Sequence, residues 1–256
     1  MRRAVRFAAV VLLLIAPAAA ADEITVATSG AFTAALQKLV PAFEHSTRHH
    51  VTLVFGASMG DTQDSIPNRL KRHEAIDAVI LADTALDALI KSGQVIAGSR
   101  VDLVRSQIGM VVRKGAPRPD ISSVDALVRT LRAAKSIVYS SSASGVYLST
   151  ELFPRLGVAD EVRGRSRKIG NEPVAAVVAR GEAELGFQQI SELLPVAGVD
   201  IVGPLPQGAQ KVTIFSAGIV SGAHAAAPAK ALIAYLVSPA VRETIRTTGL
   251  DPIKSR

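Results

Sequence analysis

The chain has 256 residues, 48% of them apolar, 20% charged and 4% aromatic, with 19 Gly, 13 Pro and no Cys. This composition suits a folded protein large enough for one domain or two lobes, and it excludes disulfide frameworks, thiolate metal sites and thiol catalysis. The formal net charge is +7, and about +4 without Arg2, Arg3 and Arg6, a mild excess that suits an anionic small ligand, whereas the lack of Trp and of any basic run interleaved with aromatics argues against nucleic acid.

Arg2, Arg3 and Arg6 precede an apolar run from Ala8 to Ile15 and then small residues ending at Ala21. That order predicts a signal peptide over 1–21, since the apolar run is far too short to span a bilayer. Cleavage after Ala21 would leave a chain with no Cys to carry a lipid, hence a soluble periplasmic protein.

From there, short β-branched runs alternate with helical periods, the pattern of an α/β fold with parallel-rich sheets flanked by helices. Ile24 to Ala27 reads as a strand, and Phe32, Leu36, Leu39, Val40 and Phe43 form the apolar stripe of the first helix. Val51 to Phe55 is a strand, Gly56 to Gly60 a turn, and Thr62 to Arg72 a helical segment. Ile76 to Leu81 is the third strand, and Asp83 is placed to cap a helix that Gly93 ends. After a strand at Ile108 to Val112, the turn-rich segment from Lys114 to Pro119 marks a fresh start, and Ser123 caps the next helix. Ser136 to Tyr139 is a strand followed by a polar loop, Ser140 to Gly145, and by a stripe at Leu148, Leu152, Phe153 and Leu156 that Gly157 closes. Pro173 suits a first helical position in Glu172 to Arg180. Glu184 to Phe187 and Lys211 to Val220 are strands, and two helices, Ala227 to Val237 and Pro239 to Thr247, finish the chain.

Four polar turns share one layout, in which a strand ends, small or hydroxyl residues follow and a helix begins. They are Thr28-Ser29-Gly30, Gly56-Ala57-Ser58, Ser140 to Gly145, and Gly170-Asn171. Helix heads leave backbone N–H groups unpaired and carry partial positive charge, so together such turns suit an anion. Gly56 to Gly60 also matches the G-x-S-x-G nucleophile elbow, but Ser58 comes too early in the chain for a hydrolase sheet to precede it. His45 and His49 are four apart, yet no further ligand can be assigned to them, so no metal is expected. No cofactor is expected either.

With these turns in place, the chain over residues 23–251 resembles the periplasmic solute-binding proteins of molybdate-type ABC transporters. The landmarks are Phe55-Gly56-Ala57-Ser58, the run Ile76 to Asp83, Ser144-Gly145-Val146-Tyr147, Gly181 to Gly186, and Tyr235-Leu236-Val237-Ser238-Pro239. The resemblance implies a two-lobe type II periplasmic-binding fold with the ligand cleft between lobes. Residues 23–104 plus 212–256 would form lobe 1, and 105–211 lobe 2. It also implies a monomer that holds a small anion, an ABC permease as partner, and a ligand set of Ser29, Gly30, Ser58, Ser144, Asn171 and Gln189. The family's first-turn serine falls at Ala31 and its tyrosine at Gln189, changes that favour an organic polycarboxylate over molybdate.

The segments Ser58-Met59-Gly60, Ile66 to Leu70, Ser142 to Tyr147 and Phe187-Gln188-Gln189 further resemble a branch of the family associated with aconitate isomerase. The leading expectation is a binding protein for a polycarboxylate. The alternative is an isomerase that moves a proton along an allylic tricarboxylate, for which no residue is nominated as the base. Arg69 could complement a carboxylate but reads as an exposed arginine.

Overall fold

The computed structural model describes residues 22–170 and 172–253, so the segment 1–21, expected from the sequence to be a signal peptide, and Asn171 lie outside the described residues. In chain order the first part comprises β1 (Glu23–Thr28), α1 (Gly30–Thr47), β2 (His50–Phe55), α2 (Ile66–Lys71), β3 (Ala78–Ala82), α3 (Asp83–Lys91) and β4 (Val101–Ser106). Next come β5 (Ile108–Arg113), α4 (Val124–Ala133), β6 (Ile137–Ser140), α5 (Ala143–Tyr147), α6 (Phe153–Arg155), α7 (Ala159–Arg163), β7 (Ser166–Ile169), α8 (Val174–Ala179), β8 (Leu185–Gln189), α9 (Ile190–Leu193) and β9 (Val199–Pro204). The chain closes with β10 (Thr213–Ile219), α10 (Ala226–Leu236), α11 (Arg242–Arg246) and β11 (Asp251–Pro252). A π-helical turn, Leu148–Leu152, joins α5 to α6.

The strands form two sheets, one in the order β11-β4-β10-β3-β1-β2 and one in the order β7-β6-β8-β5-β9. In the first, β1 is parallel to both β2 and β3, and in the second β6 is parallel to both β7 and β8. These are the strand–helix–strand units that the alternating pattern predicts. Antiparallel pairings come from β4, β5, β9 and β10, which flank the two passages between sheets. There β10 runs against β3 and β4, and β5 against β8 and β9. At one passage the Gln210 amide accepts from the Ile108 N–H and donates to the Ile108 carbonyl, both at 2.9 Å, pinning the two crossings together.

Each sheet has its own core. The α1 stripe of Phe32, Leu36, Leu39 and Phe43 packs with Ile24, Val26, Ile80 and Phe215, and α10 adds Leu232 and Leu236. Around the second sheet, Met110, Leu127, Leu131, Ile137, Leu152, Phe153 and Phe187 form a separate cluster. Ser123 caps α4 by accepting from the Ala126 N–H at 3.1 Å, while Gly93 and Gly157 supply the left-handed φ that ends their helices. Pro173 and Asp83 each sit one place from the predicted position. Pro173 precedes the first helical residue of α8, and Asp83 opens α3 rather than capping it.

Asp77 is the main polar tie in the first core. Its buried carboxylate accepts from the Thr25 N–H at 2.8 Å and the Ala225 N–H at 2.9 Å, joining β1 to the segment before α10. Asp77→Ala is expected to lower the unfolding free energy by about 2–4 kcal/mol, because two buried N–H groups lose their acceptor at once. A urea titration at neutral pH would measure it.

Candidate functional site

Two helix heads meet between the sheets. Ser29 is the N-cap of α1, in extended backbone with no capping bond from its side chain, and its N–H donates to the Ile80 carbonyl at 2.8 Å. That bond fixes the turn to β3, so α1 leaves the sheet with its unpaired N–H groups toward the cleft. Across the cleft Ser142 precedes α5, and the Ser140 and Ser144 hydroxyls bond each other at 2.9 Å. Gly145 has to be glycine here, because a Cβ would overlap the Ser140 carbonyl.

Between these heads lies a small cavity of about 10 Å³, lined by Ser29, Gly30 and Ala31 on one side and Ser142, Ala143 and Ser144 on the other. Gln189, Glu192 and Phe215 complete it. Ser29 Oγ and Gln189 Oε1 are buried there and find no hydrogen-bond partner among the described residues, while Gln189 Nε2 donates to Thr213 Oγ1 at 3.2 Å. Buried polar atoms left unpaired cost about 1–3 kcal/mol each, so they mark a place where a ligand group would be held. The two positive helix heads and the Ser29 hydroxyl suit an anionic oxygen, whereas Gln189 Oε1, an acceptor, suits a hydroxyl or another donor.

A larger cavity of about 360 Å³ adjoins the small one. Thr33, Ala34 and Gln37 of α1 form one wall, Phe55, Gly56, Ala57 and Asp64 a second, and Ile169, Gly170, Glu172 and Pro173 a third. No Lys or Arg lines either cavity among the described residues. Gly30, Ser142 and Glu192 belong to both walls, so they sit where the compartments join.

Glu192 is the residue that the sequence reading missed. It is the third residue of α9, so its carboxylate lies on the side of the Gln189 N–H at the head of this helix. Gln188 Nε2 donates to Glu192 Oε1 at 2.8 Å. Burial raises the carboxyl from its ordinary value of 4.5 to about 7, against the lowering effect of those two donors. An acid three residues past a strand end reads as an ordinary helix cap. Only the packing of α9 against α1 turns it into a cleft residue.

Of the six ligand residues expected from the sequence, Ser29, Gly30, Ser144 and Gln189 come together around the small cavity. Ser58 does not join them. Its Oγ accepts from the Ala82 N–H at 3.0 Å, which turns the side chain toward β3 and a different hollow, between α2 and α3. Ser58 instead meets the far side through its N–H, which donates to Ser142 Oγ at 3.1 Å. Asn171 lies outside the described residues. Arg69 stands behind the second wall, donating to the Asp64 and Phe55 carbonyls and pairing with Glu74 at 2.7 Å, so it braces the loop instead of facing the cleft. Among the histidines, His49 Nδ1 accepts from the Asp22 N–H and His50 pairs with Glu44.

This arrangement matches known proteins over nearly its whole length. The family model described as bacterial extracellular solute-binding protein matches residues 24–251. An aconitate isomerase of Pseudomonas sp is 47% identical over 248 residues, covering 96% of this chain and 95% of that protein. A molybdate-binding protein of Azotobacter vinelandii is 27% identical over 249 residues, covering 92% of each chain. A solved structure of a periplasmic molybdate-binding protein from the same organism superposes with a TM-score of 0.72 at 19% identity, covering 91% of this chain and all of that one. Two α/β lobes around a cleft of helix heads, together with these likenesses, place the chain in the bacterial extracellular solute-binding protein family, in its molybdate-type group.

Proposed function

We propose that this chain is an exported aconitate isomerase, in which a solute-binding cleft has acquired a base. The observation that carries the reading is Glu192, an acid with a pKa of about 7 at the junction of an anion pocket and a larger cavity. A general base works best when its pKa lies near the working pH, and an acid raised by burial at the edge of a ligand cleft suits that role. The likeness to an isomerase over 96% of the chain points the same way.

In this reading a substrate carboxylate lies at the junction of the cavities and puts one oxygen into the small one, where it meets the Ser29 hydroxyl and the heads of α1 and α5. The adjoining methylene then lies beside Glu192, with the remaining carboxylates in the larger cavity. Ionised Glu192 takes a methylene proton, and the electron pair left on carbon spreads into the carboxylate that the helix heads hold. The neutral acid then gives the proton to the other end of the allylic system. The double bond shifts and nothing is oxidised, so the step needs no cofactor.

Binding without turnover is the second reading, favoured by the family's description as solute-binding proteins. There the closed cleft would be presented to an ABC permease. Both readings place a polycarboxylate in the cleft, because the two compartments separate its anionic groups and Ala31 and Gln189 line the small pocket without hydroxyl donors. A thermal-shift panel of both aconitates, citrate, molybdate and sulfate tests the ligand class. A stabilising shift with the carboxylates supports it, and a response to molybdate alone overturns it. Appearance of cis-aconitate from trans-aconitate in proportion to protein decides between enzyme and binder.

A further inference from the structure

We infer that Gln188 is a positioning residue for Glu192, its amide locked by the head of α8 so that Nε2 faces the acid at the junction of the two cavities. The inference rests on the reading of Glu192 as the base and adds the residue that sets its orientation. Gln188 is buried in β8, its Oε1 accepts from the Val174 N–H at 3.0 Å, and its Nε2 donates to Glu192 Oε1 at 2.8 Å. A backbone N–H only donates, so the carbonyl end of the amide must face Val174 and the NH₂ end must face Glu192. Glu192 Oε1 is thereby reserved as an acceptor in both protonation states, and the proton of the neutral acid resides on Oε2.

The link also joins the base to the cavity wall. Val174 directly follows Glu172 and Pro173, which line the larger compartment, so the segment that meets the substrate also orients the amide. Few other charges act on Glu192. Asp64 and Glu172 share the larger wall, and Glu172 pairs with Arg180 at 2.8 Å. From α1 only Gly30, Thr33, Ala34 and Gln37 line it, and among the described residues the small cavity holds no titratable side chain besides Glu192. With so little charge nearby, an N–H donor at 2.8 Å is a principal force favouring the ionised form against burial.

Two substitutions separate this role from mere packing. Gln188→Met keeps the volume and removes the donor. Val174→Pro keeps Gln188 but removes the N–H that orients it, at a first helical position where proline is tolerated and after a Pro173 whose φ of −61° and ψ of 133° suit a following proline. The readouts are a ¹³C-carboxyl NMR titration of Glu192, assigned by its loss in Glu192→Gln, and the pH dependence of aconitate turnover. Both variants should raise the Glu192 midpoint, by about one pH unit in Gln188→Met. For that variant kcat at neutral pH should fall about tenfold with KM kept, and part of the loss should return as the pH is raised. An unchanged midpoint in both variants overturns the inference. If the wild-type protein turns over no aconitate, the isomerase reading fails, and the midpoints still decide the role of Gln188.

Discussion

Glu192→Gln is expected to lower trans-aconitate turnover by about 10²- to 10⁴-fold while trans-aconitate still binds, since the change removes a base and little else. Glutamine fits the same place. It can accept from Gln188 Nε2 and serve as the third residue of α9, so the site should keep its shape. Stability supplies an independent check with a definite sign. The folded carboxyl titrates at about 7 and the unfolded one near 4.5, so the native state holds the proton more tightly. Between those values wild-type stability falls as pH rises, and above pH 7 the full penalty is present. Glu192→Gln should therefore be more stable than wild type at pH 8 by about 1–3 kcal/mol, with the gain vanishing below about pH 4.5. Urea titrations at the two pH values would show whether the gain follows pH. A merely structural acid, held ionised by good partners, would give the opposite sign.

The next largest effect is expected at Gly30. A Cβ on this residue would overlap Glu192 Oε1, so the acid reaches the head of α1 only because residue 30 has no side chain. Gly30→Ala should leave the fold intact, since alanine at the first position of α1 improves helix propensity by up to about 1 kcal/mol. Glu192 must then withdraw, and a shift of about 1 Å in a catalytic group can cost about 10²-fold in rate. Steady-state assays should show that loss in kcat. If the clash is the cause, Glu192→Asp should cost less in the Gly30→Ala background than in wild type, because the shorter acid no longer meets the new methyl group.

Most of the architecture was legible because buried parallel strands and amphipathic helices leave strong local patterns. Ile80 lies on the continuous apolar run Ala78 to Ala82, Val26 in a short β-branched run, and the α1 stripe recurs at helical spacing. The strands that escaped notice are polar or short. In β4, Asp102 pairs with Arg100 and accepts from Ser216 Oγ, while β7 reads Ser166-Arg167-Lys168-Ile169 at a sheet edge, so neither shows an apolar run. The antiparallel direction of β10 depends on where a distant segment returns, which no local pattern records.

The site was legible as turns but not as directions. The residues around Ser29 and Ser144 mark helix heads, and hydroxyls at such turns are visible in the sequence. Whether a hydroxyl faces the cleft is set by backbone several elements away, as the Ala82 N–H shows by holding Ser58 Oγ. Glu192 was hidden for a related reason. Its carboxylate lies at the head of its own helix α9 and in the cleft toward α1, and only the first placement is local.

The most direct measurement is proton NMR of trans-aconitate incubated with the purified protein and, separately, with Glu192→Gln. The wild-type protein should produce cis-aconitate resonances at a rate proportional to its concentration, and the variant should bind trans-aconitate while producing almost none. Equal rates in the two proteins, or tight molybdate binding with no change in trans-aconitate, would contradict the assignment of Glu192 as the base of an isomerase.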